Sequence, residues 1–319
     1  MSRALQHKVF VAGQIPQSGR GPLPDGSTRM WSPITSTLIM GRDDAVLVDP
    51  PLTKNQAAEV GDWIAASGRK LRQIYITHGH GDHWFGAIPL LQRFPDASVL
   101  ATEGTSKLMA AQNEPRFRAE FWDQVFPGQL PTGEVDVRLV DASGFELEGV
   151  RLLPIEVGHT DTEATTILHV PQIGLLVAGD AVYNGVHPYL TESGGATGID
   201  EWLAALDIAE ALSPATVIAG HKDPRLPDDP SQIQATRQYL TDARRLLESA
   251  DSAEAFYAGM LALHPGRINP GALWGAAITL FPQLVPIIQS AFGCAAAADS
   301  ASTCRPSPRH PWRRTHPPR

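Results

Sequence analysis

One stretch constrains this chain more than any other: Thr77-His78-Gly79-His80-Gly81-Asp82-His83-Trp84-Phe85-Gly86. It places three imidazoles and one carboxylate within six residues, directly after an apolar, β-branched run at 74–77. Imidazole and carboxylate are the ligands that Zn²⁺ and its first-row neighbours prefer. The stretch therefore predicts a metal site, and the rest of the chain must supply the remaining ligands.

The composition is that of a globular protein and says little about a small-molecule substrate. Of the 319 residues, 43% are hydrophobic and 19% are charged, and a chain of this length can bury a polar site in its core without disulfides. The formal net charge of −8 argues against nucleic acid as the partner, because phosphate binding needs a basic surface.

Cysteine content and hydropathy indicate the compartment. The two cysteines, Cys294 and Cys304, lie near the C-terminus and imply neither a disulfide framework nor a metal ligand. Residues 1–8 lack the apolar core of a secretory signal, and no apolar run reaches the roughly 18 residues of a membrane span. We therefore expect no membrane association and a cytoplasmic location.

Hydrophobic periodicity and turn residues predict alternating strands and helices. Two segments are expected to form the wall and lid of a pocket: the aromatic-rich helix and the glycine-rich loop at 184–199. Strands are predicted at 8–12, 35–49 (a hairpin), 73–77, 98–102, 135–140, 145–148, 151–157, 165–170, 174–178 and 214–219. Helices are predicted at 54–67, 84–94, 104–126 (the aromatic-rich one), 200–212 with Asp200 as N-cap, and over much of 231–290.

This order of elements predicts an α/β sandwich, since it contains no long parallel series and both halves mix strands with helices. We expect one hydrolase domain over 1–290, with a C-terminal helical extension at 231–290. That extension would build one wall of the pocket or the surface of a homodimer, and both interpretations stay open. Residues 291–319 are expected to form a disordered basic tail.

Three further strands end in a glycine followed by a polar residue, as the opening stretch does. These ends are Gly158-His159-Thr160, Gly179-Asp180 and Gly220-His221. Ligand sites gather beyond the carboxyl ends of strands, and glycine allows a close approach. Seven candidate ligands exceed the needs of one catalytic zinc but suit two metals about 3.5–4 Å apart. They are His78, His80, Asp82, His83, His159, Asp180 and His221.

The ordered set of motifs resembles the metallo-β-lactamase-fold hydrolases over residues 8–222. This resemblance implies a four-layer αββα sandwich of two mixed sheets with outer helices, and two divalent metal ions, with Zn²⁺ as the expected ion. His78, His80 and His159 would hold the first metal. Asp82, His83 and His221 would hold the second, and Asp180 would bridge the two. His80 distinguishes the chain from the di-iron oxygen-reducing branch, which carries Glu at that position. His221 and the absence of a cysteine at the position of Asp180 depart from the β-lactamases that use a cysteine ligand.

Several residues near the ligands have two interpretations. Tyr183 is similar to a tyrosine of the N-acyl-homoserine-lactone lactonases that reaches toward the substrate carbonyl, but it could equally be a packing residue. Asp82 would be a catalytic proton shuttle or only a helix N-cap. Trp84 and Phe85 are expected in the pocket wall rather than the core. Asp49 would orient a ligand or begin the turn at Pro50.

The remaining charged and histidine residues are predicted to have no part in the site. Lys222 and Asp223 are interpreted as solvated loop charges. Six histidines are interpreted as structural or surface residues: His7, His169, His187, His264, His310 and His316.

The predicted reaction is hydrolysis of a small lactone, lactam or ester by a metal-bridging hydroxide. One alternative is a glutathione-thioester hydrolase of the glyoxalase II type, which ranks lower because the C-terminal helices lack a basic cluster for glutathione. A second is a mononuclear-iron sulfur dioxygenase on the same fold. A non-catalytic binder is disfavoured by the full set of seven ligands, and a nuclease by the acidic balance of the chain.

Overall fold

Two mixed β-sheets form the centre of the molecule in the computed structural model, which describes residues 4–282, all within the unit Met1–Gln283. The first sheet has six strands in the order β1-β4-β5-β6-β7-β8, and its pairings change from antiparallel to parallel at β5–β6. Its strands are β1 (Gln6–Ala12), β4 (Ile34–Met40), β5 (Asp44–Val48), β6 (Lys70–Tyr75), β7 (Ser98–Ala101) and β8 (Val137–Leu139).

The second sheet has five strands in the order β13-β12-β11-β10-β9, with β12 and β13 parallel and the other pairs antiparallel. A separate two-stranded ribbon pairs β2 (Ile15–Pro16) with β3 (Met30–Trp31). The strands of the second sheet are β9 (Phe145–Leu147), β10 (Val150–Gly158), β11 (Thr165–Val170), β12 (Leu175–Asn184) and β13 (Thr216–Lys222).

The helices cover the outer faces of both sheets. A capping box between Thr53 and Gln56 begins the first of them. They are α1 (Lys54–Ala66), α2 (Ala87–Arg93), α3 (Glu103–Gln112), α4 (Pro115–Phe117), α5 (Asp123–Val125), α6 (Ala196–Ala211), α7 (Ser231–Ser249), α8 (Ala253–Leu263) and α9 (Pro270–Leu280).

Three apolar cores give the order of the layers. The central core joins the facing sides of the two sheets, where Tyr75 stacks on Phe145. A second core packs the outer face of the first sheet against α1 and α2, and a third packs the outer face of the second sheet against α6 to α9. Helix, sheet, sheet and helix therefore follow one another, and the predicted αββα sandwich with additional C-terminal helices is confirmed.

The predicted helix at 104–126 is interrupted. Helix α3 ends at Gln112, and Glu114 caps a new turn that begins with Pro115. A π-helical turn at Arg118–Trp122 then leads into α5. Proline cannot continue the preceding helix because it lacks an N–H donor, so the aromatic residues are carried on several short turns.

Other predicted boundaries were also wrong. The helix after the His-rich stretch begins at Ala87 rather than residue 84, because Gly81–His83 forms a 3₁₀ turn first. Strand β12 continues to Asn184, and α6 begins at Ala196. Asp200 therefore lies inside α6, where it pairs with Arg244 at 2.8 Å, and is not an N-cap.

Helices α7 to α9 occupy the described part of the C-terminal extension. Residues of α9 line the pocket described below, which supports the pocket-wall interpretation, while the homodimer surface stays a prediction. The tail at 291–319, with Cys294, Cys304, His310 and His316, lies outside the described residues. None of the helices within 4–282 has the length and hydropathy to span a bilayer.

Candidate metal centre

Strands β6, β12 and β13 bring six of the seven predicted ligands to one buried edge of the sandwich. Two glycines allow the backbone to approach neighbouring side chains closely at this edge. A Cβ on Gly220 would lie 2.1 Å from Asp180 Oδ1, and one on Gly179, at φ 50°, would lie 2.4 Å from Thr77 Oγ1. The six ligands are all at most 8% exposed: His78, His80, Asp82, His83, Asp180 and His221.

One group of donor atoms contains Asp82, His83 and His221. The Nε2 atoms of His83 and His221 face each other at 3.4 Å. Asp82 Oδ2 lies 3.8 Å from the first of these nitrogens and 3.5 Å from the second. Asp180 joins this group, with Oδ1 at 3.3 Å from His83 Nε2 and Oδ2 at 3.2 Å from His221 Nε2.

A second group contains His78, His80 and Asp161. Asp161 Oδ2 lies 2.9 Å from His80 Nδ1 and 3.7 Å from His78 Nε2. The rings of His78 and His83 are 4.2 Å apart between centroids, so the two groups are adjacent. Asp161, which the sequence interpretation did not include, is fully buried.

His159 is not brought into the second group, contrary to the expected set. Its Nδ1 lies 3.4 Å from Glu163 Oε1, and a Cβ on Gly198 would lie 2.9 Å from its Nε2. Strand β10 shifts register against β11 between Glu156 and Gly158, and Gly158 has φ 84°. Such a bulge changes the direction of the side chains that follow it, and Asp161 takes the place expected for His159.

The donor atoms of both groups fit divalent cations. Buried polar atoms are almost always hydrogen-bonded, yet His78 Nε2, Asp161 Oδ2 and Asp180 Oδ1 have no hydrogen-bond partner within residues 4–282. Buried imidazole nitrogens and carboxylate oxygens that converge without partners are the donor set of a Zn²⁺-like ion. The residues therefore fit the metal ions that the sequence predicts.

The pKa shifts of His83 and Asp180 also indicate that this site favours a bound positive charge. Burial acts to lower the pKa of His83, but Asp180 and Asp82 raise it to about 10. Burial acts to raise the pKa of Asp180, but His221 and His83 hold it below its ordinary value. The carboxylates thus stabilise a cation at this position, a role that a bound metal ion would take over.

Neighbouring groups orient the ligands, as is usual around metal-binding imidazoles. Asp49, one of whose two interpretations was an orienting residue, has Oδ2 at 3.4 Å from His83 Nδ1 and accepts from both the N–H and the hydroxyl of Thr77. His221 Nδ1 lies 2.7 Å from the carbonyl oxygen of Pro33. The indole N–H of Trp31 donates to Asp82 Oδ2 at 2.8 Å.

Tyr183 does not face the substrate side of the site. Its side chain is fully buried, does not line the pocket, and donates its hydroxyl to Asp180 Oδ2. It stacks on His221 with centroids 5.5 Å apart and packs against Trp202. Tyr183 is therefore a residue that positions Asp180 from the core side, which corrects the expectation of a substrate-contacting phenol.

Trp84 and Phe85 belong to the core rather than to the pocket wall. They are 2% and 0% exposed, and neither lines the pocket. Phe85 packs edge-on against Trp122, and the Trp84 indole donates to the carbonyl oxygen of Gly79. The 3₁₀ turn that precedes them directs both rings inward, so their proximity in sequence to the ligands does not give them contact with the pocket.

Two more interpretations need correction. Lys222 and Asp223 are 5% and 3% exposed, and β13 continues through Lys222. Lys222 pairs with Asp228, and Asp223 with Arg225.

Among the histidines outside the site, His187 is buried with Nδ1 at 3.0 Å from the Tyr239 hydroxyl, a structural role as predicted.

A pocket of about 300 Å³ opens onto Asp82, Asp180 and His221. This volume is at the lower end of the range for small-molecule sites. Its wall includes aromatic side chains from 117–122, residues 189–192 and one face of α9. Glu192 lies 3.3 Å from His80 Nε2, and Arg29 also lines the pocket, yet neither residue stood in a sequence motif that marked it.

A family model described as the metallo-beta-lactamase superfamily matches residues 29–221. This chain belongs to the metallo-beta-lactamase superfamily. Solved structures agree on the fold of this superfamily member: a metallo-beta-lactamase family protein from Thermus thermophilus has a TM-score of 0.56 at 20% identity, over 85% of this chain and 91% of that one. A metallo-beta-lactamase from Pontibacter korlensis has a TM-score of 0.52 at 19% identity, over 76% and 97%.

Sequence relatives match shorter parts of the chain. A hydroxyacylglutathione hydrolase of Parasynechococcus marenigrum is 41% identical over 59 residues, which are 18% of this chain and 22% of the relative. A UPF0173 metal-dependent hydrolase of Archaeoglobus fulgidus is 28% identical over 166 residues, 44% of this chain and 67% of the relative. This chain thus spans about a fifth of the length of the hydroxyacylglutathione hydrolases it matches.

Proposed function

We propose that this superfamily member is a hydrolase that uses two divalent metal ions, with Zn²⁺ as the expected ion, to open a small lactone, lactam or ester. The observation that carries the proposal is the adjacency of two buried ligand groups that face one pocket. A single catalytic zinc needs three protein ligands, whereas His78, His80 and Asp161 form one such set and Asp82, His83 and His221 form another.

Divalent ions in such a centre supply an activated water at neutral pH and polarise the carbonyl that it attacks. The protein contributes position and proton transfer. Asp82 lies in the pocket with Oδ2 fixed by the Trp31 indole at 2.8 Å. This carboxylate is placed to take up a proton and return it to the leaving group. Tyr183 holds Asp180 from behind through its hydroxyl.

A glutathione-thioester hydrolase is the second candidate, and two observations favour it. The hydroxyacylglutathione hydrolases are among the relatives. In addition, Arg20 and Arg29 line the pocket, so a basic pair for a carboxylate exists, although it comes from the N-terminal region and not from the C-terminal helices. The two candidates differ in the bond that is cleaved and share the ligand groups.

Metal analysis combined with a substrate panel tests the proposal. We expect two divalent ions per chain and hydrolysis of at least one class among lactones, lactams, aryl esters and glutathione thioesters. Removal of the metal by a chelator, and the substitution His80→Ala, should each abolish this activity. His169→Ala is the matched control, because His169 is on β11 and lies outside both ligand groups.

Two results would contradict the proposal. Activity that survives both chelation and His80→Ala would remove the metal from the reaction. One iron per chain, with oxygen consumption in place of hydrolysis, would instead identify the sulfur dioxygenase alternative.

A further inference from the structure

Arg29 lies in the pocket wall, against one face of α9. Its Nε donates to the carbonyl oxygen of Gly271 at 3.1 Å. Gly271 and Gly275 lie one turn apart on α9, and a Cβ on either would meet Arg29, at 3.1 Å from Cγ and 2.1 Å from Nη2 respectively. Because glycine has no side chain, Gly271 and Gly275 leave space on this face of α9, and the Arg29 side chain occupies it.

Arg20 approaches the same pocket from the segment between β2 and β3. Its guanidinium carbon lies 4.7 Å from the centroid of the Phe121 ring. Guanidinium groups stack well on aromatic faces and remain able to donate at their edges. The contact therefore fixes the position of Arg20 without using its hydrogen-bond donors.

Within residues 4–282, neither of these two arginines forms a salt bridge with a carboxylate. In the described part of the chain, their contacts are to a carbonyl oxygen and an aromatic ring. Burial first, and then the neighbouring charge of Arg20, lower the pKa of Arg29. A bound anion would offset the positive charge of the half-buried Arg29.

Glu192, the acidic pocket residue outside the ligand groups, interacts with His80 and Tyr189. Its Oε2 lies 3.3 Å from His80 Nε2, and its Oε1 accepts from the Tyr189 hydroxyl at 3.3 Å. The pocket is therefore lined by carboxylates of the ligand groups, by the two arginines, and by aromatic side chains that include Phe121 and Trp122.

We propose that Arg20 and Arg29 form an anion-binding subsite that takes a carboxylate or phosphate group of the substrate, remote from the bond that is cleaved. The inference rests on the proposed function, because the subsite faces the same pocket as the ligand groups. The substrate is then a small anion with an apolar or aromatic part that packs on the wall at Phe121 and Trp122.

Calorimetric binding of matched probes tests the subsite without turnover. The probes are hippurate, its neutral amide hippuramide, and phenyl phosphate, titrated into the full metal-loaded chain. We expect the wild type to bind hippurate about tenfold more tightly than hippuramide, as for a charge-assisted hydrogen bond. Arg20→Gln and Arg29→Gln should each remove most of this preference. Arg72→Gln should keep it, since Arg72 pairs with Asp44 outside the pocket.

The possible outcomes distinguish a failure of the subsite proposal from a failure of the proposed hydrolase function. Equal binding of hippurate and hippuramide by the wild type would overturn the subsite, and so would a preference that both pocket variants retain, because the carboxylate would then bind at the metals. Phenyl phosphate that binds more tightly than hippurate would assign the subsite to phosphate. An arginine-dependent preference in a protein that hydrolyses nothing in the panel would refute the hydrolase alone. Arg20 is exposed, so Arg20→Gln carries the test if Arg29→Gln does not fold.

Discussion

Exchange of Asp161 or His159 for asparagine distinguishes two versions of the metal centre. In the structure, Asp161 Oδ2 lies 2.9 Å from His80 Nδ1, is fully buried and has no hydrogen-bond partner within residues 4–282. Loss of an outer-shell partner of a metal ligand typically costs 10–100-fold in affinity. We therefore expect Asp161→Asn, which removes a charged ligand, to weaken one metal site by about a hundredfold or more.

His159→Asn should have a small effect. The imidazole lies outside both ligand groups, although its side chain is only 9% exposed and neither ring nitrogen has a hydrogen-bond partner within residues 4–282. We expect the metal affinity of this variant to stay close to that of the wild type, because the ligand groups are unchanged.

Metal content after dialysis, followed by competition with a chromophoric chelator, measures both affinities. We expect Asp161→Asn to retain about one ion per chain and His159→Asn to retain two. The reverse result, with one ion lost from His159→Asn and none from Asp161→Asn, would refute the grouping seen in the structure. It would restore the ligand set that the resemblance implies.

Three further perturbations test the surroundings of the site. Tyr183→Phe should lower the free energy of unfolding by about 1–3 kcal/mol, because Asp180 Oδ2 loses a buried donor, and leave KM unchanged; a raised KM would indicate substrate contact. Trp31→Phe should lower kcat with two metals retained, since Asp82 loses the hydrogen bond from the indole while every ligand is kept; metal loss would contradict this. Burial lowers the pKa of His187 from its ordinary 6.5 to about 3. The unfolded chain therefore binds more protons below pH 6.5, and stability falls by about 2 kcal/mol from pH 7 to 5. His187→Gln should remove this part of the slope in urea unfolding, and an unchanged slope would show that His187 titrates normally.

Local sequence signals predict the strand ends well. The pattern of an apolar strand, a glycine and a polar residue locates Asp180 and His221, because chain direction and close approach are both encoded there. The same pattern misplaces His159, since the bulge at Glu156–Gly158 depends on how β10 pairs with β11. No feature of Asp161 in the sequence distinguishes it from an ordinary turn residue.

The sequence does not predict the direction in which a side chain points, even where it predicts the position of the residue. Tyr183 lies beside Asp180 and His221, but β12 continues to Asn184, and its pairing with β13 sets Tyr183 opposite His221 in the interior. Trp84 and Phe85 are likewise near the ligands in sequence but directed into the core. Lys222 is buried for the same reason, because its strand runs further than periodicity indicates.

The residues proposed to select the substrate come largely from outside the shared part of the chain. The family match covers 29–221 and contains both ligand groups. Arg20 precedes it, Arg29 is its first residue, and the α9 glycines that receive Arg29 follow it. Because loops and added helices vary more freely than a packed sandwich, a chain can keep the metal chemistry and change its substrate through such additions. Substitutions at Arg20 should therefore alter which substrates are cleaved, whereas substitutions at His80 should abolish cleavage of all of them.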